Sequence, residues 1–292
     1  MNKRAPSTVL VQAGKLEFVK VNAAAWDWRD IYHWLLTLHW GPFCAVLLGA
    51  HLTANCLFAL LYLAGGECIS GMRPGSFTDA FFFSVETLAT VGYGHMYPAT
   101  LYGHCVATTE ILGGMFGLAV MTGLIFVRFS RPTARLVFSE SLVISRFDGK
   151  PALMMRIANL RHQALAQADF RMVLIRNEIV EEGEEWRHFY PLELHVSHVI
   201  MFPVAMTIRH TIDEDSPLYG QTTEMLEKGD VRIIASIAGV DTVMQAPVQS
   251  QTDYTWRDIR FGHRFVEIYS DLDANRYSVD YGRLHETEQV AP

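Results

Sequence analysis

Apolar and polar positions are spread very unevenly along this chain of 292 residues. From Trp40 to Ala64 no residue carries a formal charge, and His51, Thr53 and Asn55 are the notably polar positions in a run dominated by leucine and alanine. A helix of that length, rising about 1.5 Å per residue, crosses the roughly 30 Å hydrocarbon core of a bilayer. Residues 101–127 form a second such run, interrupted by Glu110 and holding His104. The pattern predicts two membrane spans, over 39–64 and 101–128. Ahead of the first, Trp26, Trp28, Ile31, Tyr32, Trp34 and Leu35 are interleaved with Asp27, Arg29, Asp30 and His33. Such an amphipathic, tryptophan-rich stretch suits a membrane interface, and an interfacial helix is expected over 26–38. Residues 1–25 are polar with scattered lysine and arginine, and read as a tail with little fixed structure.

After Pro132 the character changes. Short runs such as 136–145, 152–158 and 170–176 are rich in Val, Ile, Leu, Met and Phe, and Asp148-Gly149, Glu182-Gly183 and Lys228-Gly229-Asp230 supply turn chemistry between such runs. Asp-Gly between two apolar runs is a strong hairpin signal. An antiparallel sandwich or barrel is expected over 136–292, with 129–135 as its linker. Composition fits this division: 50% hydrophobic and 19% charged residues match a few spans joined to a soluble domain. A net charge of −7 sets aside the general nucleic-acid binder, which needs a basic surface. The four cysteines form no CxxC pair and the twelve histidines no HExxH, so neither a zinc site nor a redox motif is expected. Cys68 and Cys105 bracket one short segment and would be joined only if it faces an oxidising space. No apolar signal-like segment stands in the first 25 residues, so no cleaved signal peptide is expected. Basic residues set the orientation. Arg128, Arg131 and Arg135 follow the second span, Lys15, Lys20 and Arg29 precede the first, and only Arg73 lies between. Both termini are therefore expected in the cytoplasm, with 65–100 on the other side.

The stretch 65–100 carries the chemistry. Pro74-Gly75-Ser76 leads into an apolar, helical pattern over 77–89, with Asp79 early and Glu86 late. Thr87-Leu88-Ala89-Thr90-Val91-Gly92-Tyr93-Gly94 follows. A half-length helix and then an extended glycine-containing strand make a re-entrant loop, tolerated in a membrane only where protein or water surrounds it. Thr90-Val91-Gly92-Tyr93-Gly94 is the potassium-channel signature, and the chain resembles the inward-rectifier potassium channels, in their prokaryotic (KirBac) branch. The resemblance runs through nearly the whole chain. It takes in 28–40 as interfacial helix and span entry, AFFFSVETLATVGYG over 80–94 as pore region, and Arg131-Pro132 with Leu136-Val137-Phe138-Ser139 as the join to the cytoplasmic domain. Further landmarks are MRIANLR over 155–161, IDEDSPLY over 212–219, Gly262-His263-Arg264 and Val279-Asp280-Tyr281.

The resemblance implies a potassium-selective channel of inward-rectifier type, in the inner cell membrane, with an immunoglobulin-like cytoplasmic sandwich and a homotetrameric pore. One filter strand cannot enclose an ion, so the chemistry also asks for several copies. Carbonyls of Thr90, Val91, Gly92, Tyr93 and Gly94 would replace the hydration shell of K⁺, the only bound species implied; no cofactor and no catalytic residue is expected. Gly92 and Gly94 can take positive φ, and Val91 and Tyr93 are expected to point outward against the pore helix. Glu86 and Thr87 would support the filter. In animal relatives the matching glutamate pairs with an arginine just after the filter; here His95 and Met96 follow Gly94, and that partner is missing. Leu118, Thr122 and Phe126 recur at four-residue spacing as cavity and gate residues, Phe126 as a hydrophobic constriction. A leucine at 118 offers polyamines or Mg²⁺ no charge, so cavity-based rectification should be weak; Ba²⁺ is the expected filter blocker. Arg29, Arg128, Arg131 and Arg135 are candidate ligands for anionic lipid or phosphoinositide headgroups. Glu182 and Asp258 match acids lining the family's cytoplasmic ion vestibule. Glu110 faces either the region behind the filter near Glu86 or the cavity, and Gly113-x-x-x-Gly117 fits close helix packing. A membrane-anchored enzyme finds no catalytic motif here, and a non-conducting sensor that keeps a channel fold is the remaining rival.

Overall fold

The computed structural model describes residues 8–13, 16–21, 30–273 and 276–290. The chain divides into two units, Ala24–Arg131 and Pro132–Pro292 with Met1–Ala23, taken here in turn.

The first unit is helical. Helix α1 (Ile31–Thr37) precedes α2 (Trp40–Ala64), a short α3 (Phe77–Leu88) and α4 (Leu101–Phe129). Of these, α2 and α4 are long and apolar enough to cross a membrane. Local chemistry sets the ends of the shorter elements. Ser76 caps α3 by accepting the Asp79 amide at 3.2 Å, and Thr100 caps α4 by accepting the Gly103 amide at 3.1 Å. Arg73 closes over the α3 N-terminus, its Nε and Nη2 donating to the two Asp79 carboxylate oxygens at 2.8 and 2.6 Å. A two-residue antiparallel pair, Ile69–Ser70 with Tyr97–Pro98, closes the base of the intervening segment.

Two buried clusters hold these helices together. Ala59 and Tyr62 of α2, Ala80 and Phe83 of α3 and Ala107 of α4 form one, with the Tyr62 and Phe83 rings edge to face at 5.0 Å. Leu36 of α1, Phe43 of α2 and Leu124 of α4 form the other. The close approach of α4 to α3 falls at Gly114, where a Cβ would stand 2.5 Å from the Leu88 carbonyl oxygen. Gly113 and Gly117, expected as the packing pair, have no atom of this chain within 4 Å of a would-be Cβ. All four cysteines are free thiols; Cys68 is buried and its Sγ donates to the Tyr62 carbonyl, while Cys105 is exposed.

The second unit is a β-sandwich. One sheet runs His198–Phe202, Leu165–Ile179, Arg232–Asp241, Ala246–Thr255, with Glu185–Leu192 also paired to Leu165–Ile179. The other runs Ala205–Thr211, Lys150–Asn159, Leu142–Phe147, Ile259–Phe261, with Leu136–Phe138 also on Lys150–Asn159. Pairing is antiparallel throughout both sheets except between Ile259–Phe261 and Leu142–Phe147, which is parallel. Both sheets feed one core. Ile233, Ala235 and Ile237 alternate inward on the central strand and meet Leu142, Leu153, Met155 and Ile157 of the opposite sheet. Tyr254 adds a polar link between the layers, its hydroxyl donating to the Ser139 carbonyl at 2.7 Å.

Asp148 and Gly149 both take positive φ, 50° and 76°, in a two-residue loop that registers Phe147 against Lys150. That is the hairpin the sequence signals. Glu182-Gly183 also sits in a hairpin loop, since Ile179 pairs with Glu185. Lys228-Gly229-Asp230 does not join two strands: Gly229 is the C-cap of a short helix α5 (Thr223–Lys228). Glycine past a lysine suits a helix end as well as a turn. The N-terminal tail also differs from expectation, because Thr8–Ala13 and Leu16–Val21 pair as an antiparallel hairpin. TVLVQA and LEFVKV are rich in β-formers, which outweigh the scattered lysines. Within the stretch expected to be interfacial, the helix covers Ile31–Thr37, and Trp26, Trp28 and Arg29 lie outside the described residues.

Candidate functional site

The site is the segment that returns from α3 to the Tyr97–Pro98 strand. As α3 ends, its amides fold back. Ala89 donates to Val85 O, Thr90 to Thr87 O at 3.0 Å, and Val91 and Gly92 both donate to the Glu86 carbonyl, at 2.8 and 3.3 Å. The strand that follows has left-handed backbone at every second residue: Thr90 at φ 57°, Gly92 at 56° and Gly94 at 83°. Val91 and Tyr93 between them are not left-handed. Alternating hands turn successive peptide planes so that carbonyls line one side of the strand and amides the other. Glycine adopts this at little cost, whereas a β-branched threonine with positive φ is an outlier of the kind found at functional sites.

On the single chain Val91 and Tyr93 point outward and are 52% and 75% exposed rather than covered by α3. A cleft of about 340 Å³ flanks α3 instead, lined by Phe83, Glu86, Thr90, Met96 and Ala107 among others. Glu86 does have a partner. The Nδ1 of His95 lies 3.8 Å from its Oε2, an ion pair whenever the imidazole is doubly protonated. The chain turns back on α3 directly after Gly94, so the first residue beyond the filter reaches the carboxylate. Of the two expected places for Glu110 the structure gives the region behind the filter near Glu86: it is fully buried against Tyr62 of α2 and Ser84 of α3, two residues before Glu86. Those partners were hidden from the sequence because they lie on other helices.

Along α4, Leu118, Thr122 and Phe126 are all exposed on the single chain. Leu118 stands at the border of the face that α4 buries at Gly103, Ala107 and Glu110, and Thr122 and Phe126 drift progressively away from it. Leu118 also lines an apolar cavity of about 650 Å³ that reaches Thr90 at one end and Leu124 at the other. At the far end of α4, Arg128 is half-buried. Its guanidinium lies 4.6 Å from the Trp40 ring centroid and 4.7 Å from that of Phe43, and donates to the Leu35 and Leu38 carbonyls. A cation on the last carbonyls of α1 is favourably placed against that helix's dipole. Both terminal nitrogens of Arg128 thus donate to the protein, while its Nε is buried without a hydrogen-bond partner among the described residues, and Arg131 and Arg135 are exposed.

In the sandwich, Glu182 is exposed at a hairpin tip. Asp258 is half-buried, and its Oδ2 accepts from both the amide and the hydroxyl of Thr255, closing a capping box. That structural task carried a sequence signal, since Thr255 and Asp258 stand three residues apart. His95 is the functional candidate that sequence reasoning passed over; its adjacency to Gly94 was the available signal.

Comparison with known proteins agrees with this geometry. Residues 136–292 match the family model described as the inward rectifier potassium channel C-terminal domain, and 45–131 match the one described as ion channel. The chain is 44% identical over 260 residues to the inward rectifier potassium channel Kirbac3.1 of Paramagnetospirillum magnetotacticum, covering 89% of this chain and 88% of that one. It is 36% identical over 243 residues to inward rectifier potassium channel 4 of Homo sapiens, covering 78% of this chain and 53% of the human protein. The chain thus spans about half the length of that mammalian relative. A re-entrant strand with alternating backbone hands, two membrane-length helices, a β-sandwich and these relatives converge: the chain belongs to the inward rectifier potassium channel family.

Proposed function

We propose that four copies of this chain form a potassium-selective pore in the inner cell membrane, with both termini in the cytoplasm. The observation that carries the reading is the alternation of left-handed backbone at Thr90, Gly92 and Gly94. Four such strands about one axis supply stacked rings of carbonyls that replace the ion's water. Exposed Val91 and Tyr93, together with the open cleft beside α3, support assembly: each gives a neighbouring copy something to fill. Glu86 and Thr87 brace the filter from behind, with His95 as the carboxylate's partner.

On the exposed face of α4, Leu118 and Thr122 line the cavity and Phe126 forms a ring that closes the pore by excluding water. Leu118 gives polyamines and Mg²⁺ no charge to bind, so rectification from the cavity is weak. Arg131 and Arg135, with Arg29, hold anionic lipid headgroups, whereas Arg128 staples α1 to α4. Glu182 and Asp258 add negative potential to the cytoplasmic entry.

The test is flux through purified protein in liposomes. Rb⁺ should enter down a K⁺ gradient, Na⁺ should be excluded and Ba²⁺ should block. A correctly assembled protein that passes no Rb⁺ would refute conduction and favour a sensor that keeps a channel fold.

A further inference from the structure

Glu110 is the only acid in either span, and the proposed ion path does not use it. Its side chain is fully buried at the meeting point of three helices. Oε2 accepts from the Tyr62 hydroxyl of α2 at 2.5 Å, and Oε1 lies 2.5 Å from the Ser84 hydroxyl oxygen of α3. Ser84 Oγ in turn lies 3.1 Å from Asn55 Oδ1, and Asn55 Nδ2 donates to the His51 carbonyl at 2.8 Å.

Counting protons along this chain gives a definite result. The His51 carbonyl can only accept, so the Asn55 amide must present its nitrogen there and its oxygen to Ser84. The Ser84 hydroxyl has a single proton and stands between two oxygens, Asn55 Oδ1 and Glu110 Oε1. If an ionised Glu110 took that proton, Ser84 Oγ and Asn55 Oδ1 would face each other with none between them. A full negative charge would also be buried in the membrane with no cation beside it. If Glu110 carries a proton, every contact is made. Tyr62 then donates to Glu110, Glu110 to Ser84, Ser84 to Asn55, and Asn55 to the His51 carbonyl.

We infer that Glu110 is a neutral carboxylic acid donating its O–H to Ser84, and that this one-way chain positions the pore helix for the filter. Ser84 stands two residues before Glu86, whose carbonyl receives the Val91 and Gly92 amides. Any shift of α3 at Ser84 therefore reaches the first carbonyls of the filter. Glu110 is a positioning residue: it touches no permeating ion and acts through α3. The functional arm of this inference rests on the conduction reading above, while its chemical arm does not.

Glu110→Gln replaces the donating O–H with an N–H and keeps an acceptor for Tyr62; Glu110→Leu removes both. In liposomes the glutamine variant should keep Rb⁺ flux and Na⁺ exclusion within about twofold of the parent, while the leucine variant should lose Na⁺ exclusion by about tenfold or more. Ser84→Ala should shift Na⁺ exclusion in the same direction, and it serves as the milder variant where the leucine protein fails to assemble. Infrared difference spectra of parent and Glu110→Gln protein at neutral pH should show the carbonyl stretch of a protonated carboxylic acid in the parent alone. A carboxylate band in its place, or a glutamine variant as unselective as the leucine one, overturns the neutral acid. Unchanged selectivity in the leucine and Ser84→Ala variants overturns the positioning role. If the parent itself passes no Rb⁺, the conduction reading fails while the infrared band still decides the state of Glu110.

Discussion

Replacing Gly114 with alanine adds one methyl group at the point where α4 passes the end of the pore helix. That methyl would stand 2.5 Å from the Leu88 carbonyl oxygen and 3.1 Å from Leu88 Cδ1, whereas ordinary contact begins at 3.4 Å. The carbonyl is backbone, so relief requires the two helices to part by most of an ångström or the last turn of α3 to tilt. Two effects oppose each other. Alanine is better than glycine in a helix interior by roughly 0.5–1 kcal/mol. Forced overpacking costs about 1–3 kcal/mol. The difference is a net loss of about 0–2.5 kcal/mol per chain, with overpacking winning over most of that range, and the displacement falls at Leu88, one residue before Ala89 and two before Thr90. Gly49→Ala in α2 is the control, because nothing lies within 4 Å of a Cβ there and the helix gain stands alone. Thermal melting of the assembled protein in detergent should fall for Gly114→Ala and hold or rise for Gly49→Ala. In liposomes Gly114→Ala should let in about tenfold more Na⁺ relative to Rb⁺, the equivalent of 1.4 kcal/mol. A Gly114→Ala protein that melts like the Gly49→Ala control and still excludes Na⁺ would show that the helices part freely there.

Two further outcomes are expected. Phe126→Ala removes the aromatic ring from the exposed face of α4, and Rb⁺ flux should rise severalfold with Na⁺ exclusion unchanged; flux equal to the parent's would return Phe126 to lipid-facing packing. Hydrogen bonds from Arg73 hold the Asp79 carboxyl well below the usual carboxylate range. Because the folded value lies below the unfolded one, Asp79 contributes its stability in full above about pH 3.9 and loses it as pH falls towards the lowered folded value. The melting difference between parent and Asp79→Asn should therefore be constant from neutral pH down to about pH 5 and shrink under further acidification; a difference that grows on acidification contradicts the pairing.

Long-range order was legible in the sequence wherever the chain repeats one simple choice over many residues. Two long apolar runs, one of them broken only by Glu110, marked α2 and α4 nearly to the residue, and Asp148-Gly149 placed a hairpin because left-handed backbone fits that two-residue loop. The filter was legible for a different reason: its glycines mark the positions where backbone must take positive φ. What stayed hidden depends on meetings between distant positions. Glu110 reaches Tyr62, 48 residues away, and Ser84, 26 residues away, and no local pattern joins them. Gly113-x-x-x-Gly117 has the packing spacing, but the contact made within one chain is that of Gly114, between them, with Leu88. Lys228-Gly229-Asp230 failed as a strand turn because a helix cap uses the same residue types.

Thr90 has a consequence for how the protein comes to order. A left-handed threonine costs roughly 1–2 kcal/mol, and each chain bears that cost alone. In the proposed tetramer the compensating interactions would come from outside the chain, from the ion and from the other three strands around it. Filter geometry is then linked to ligand activity: any species that binds the ordered form and not the relaxed one stabilises it by mass action. Millimolar K⁺ would act on this protein as a structural ligand as well as cargo, and its removal would loosen the assembly at Thr90 first.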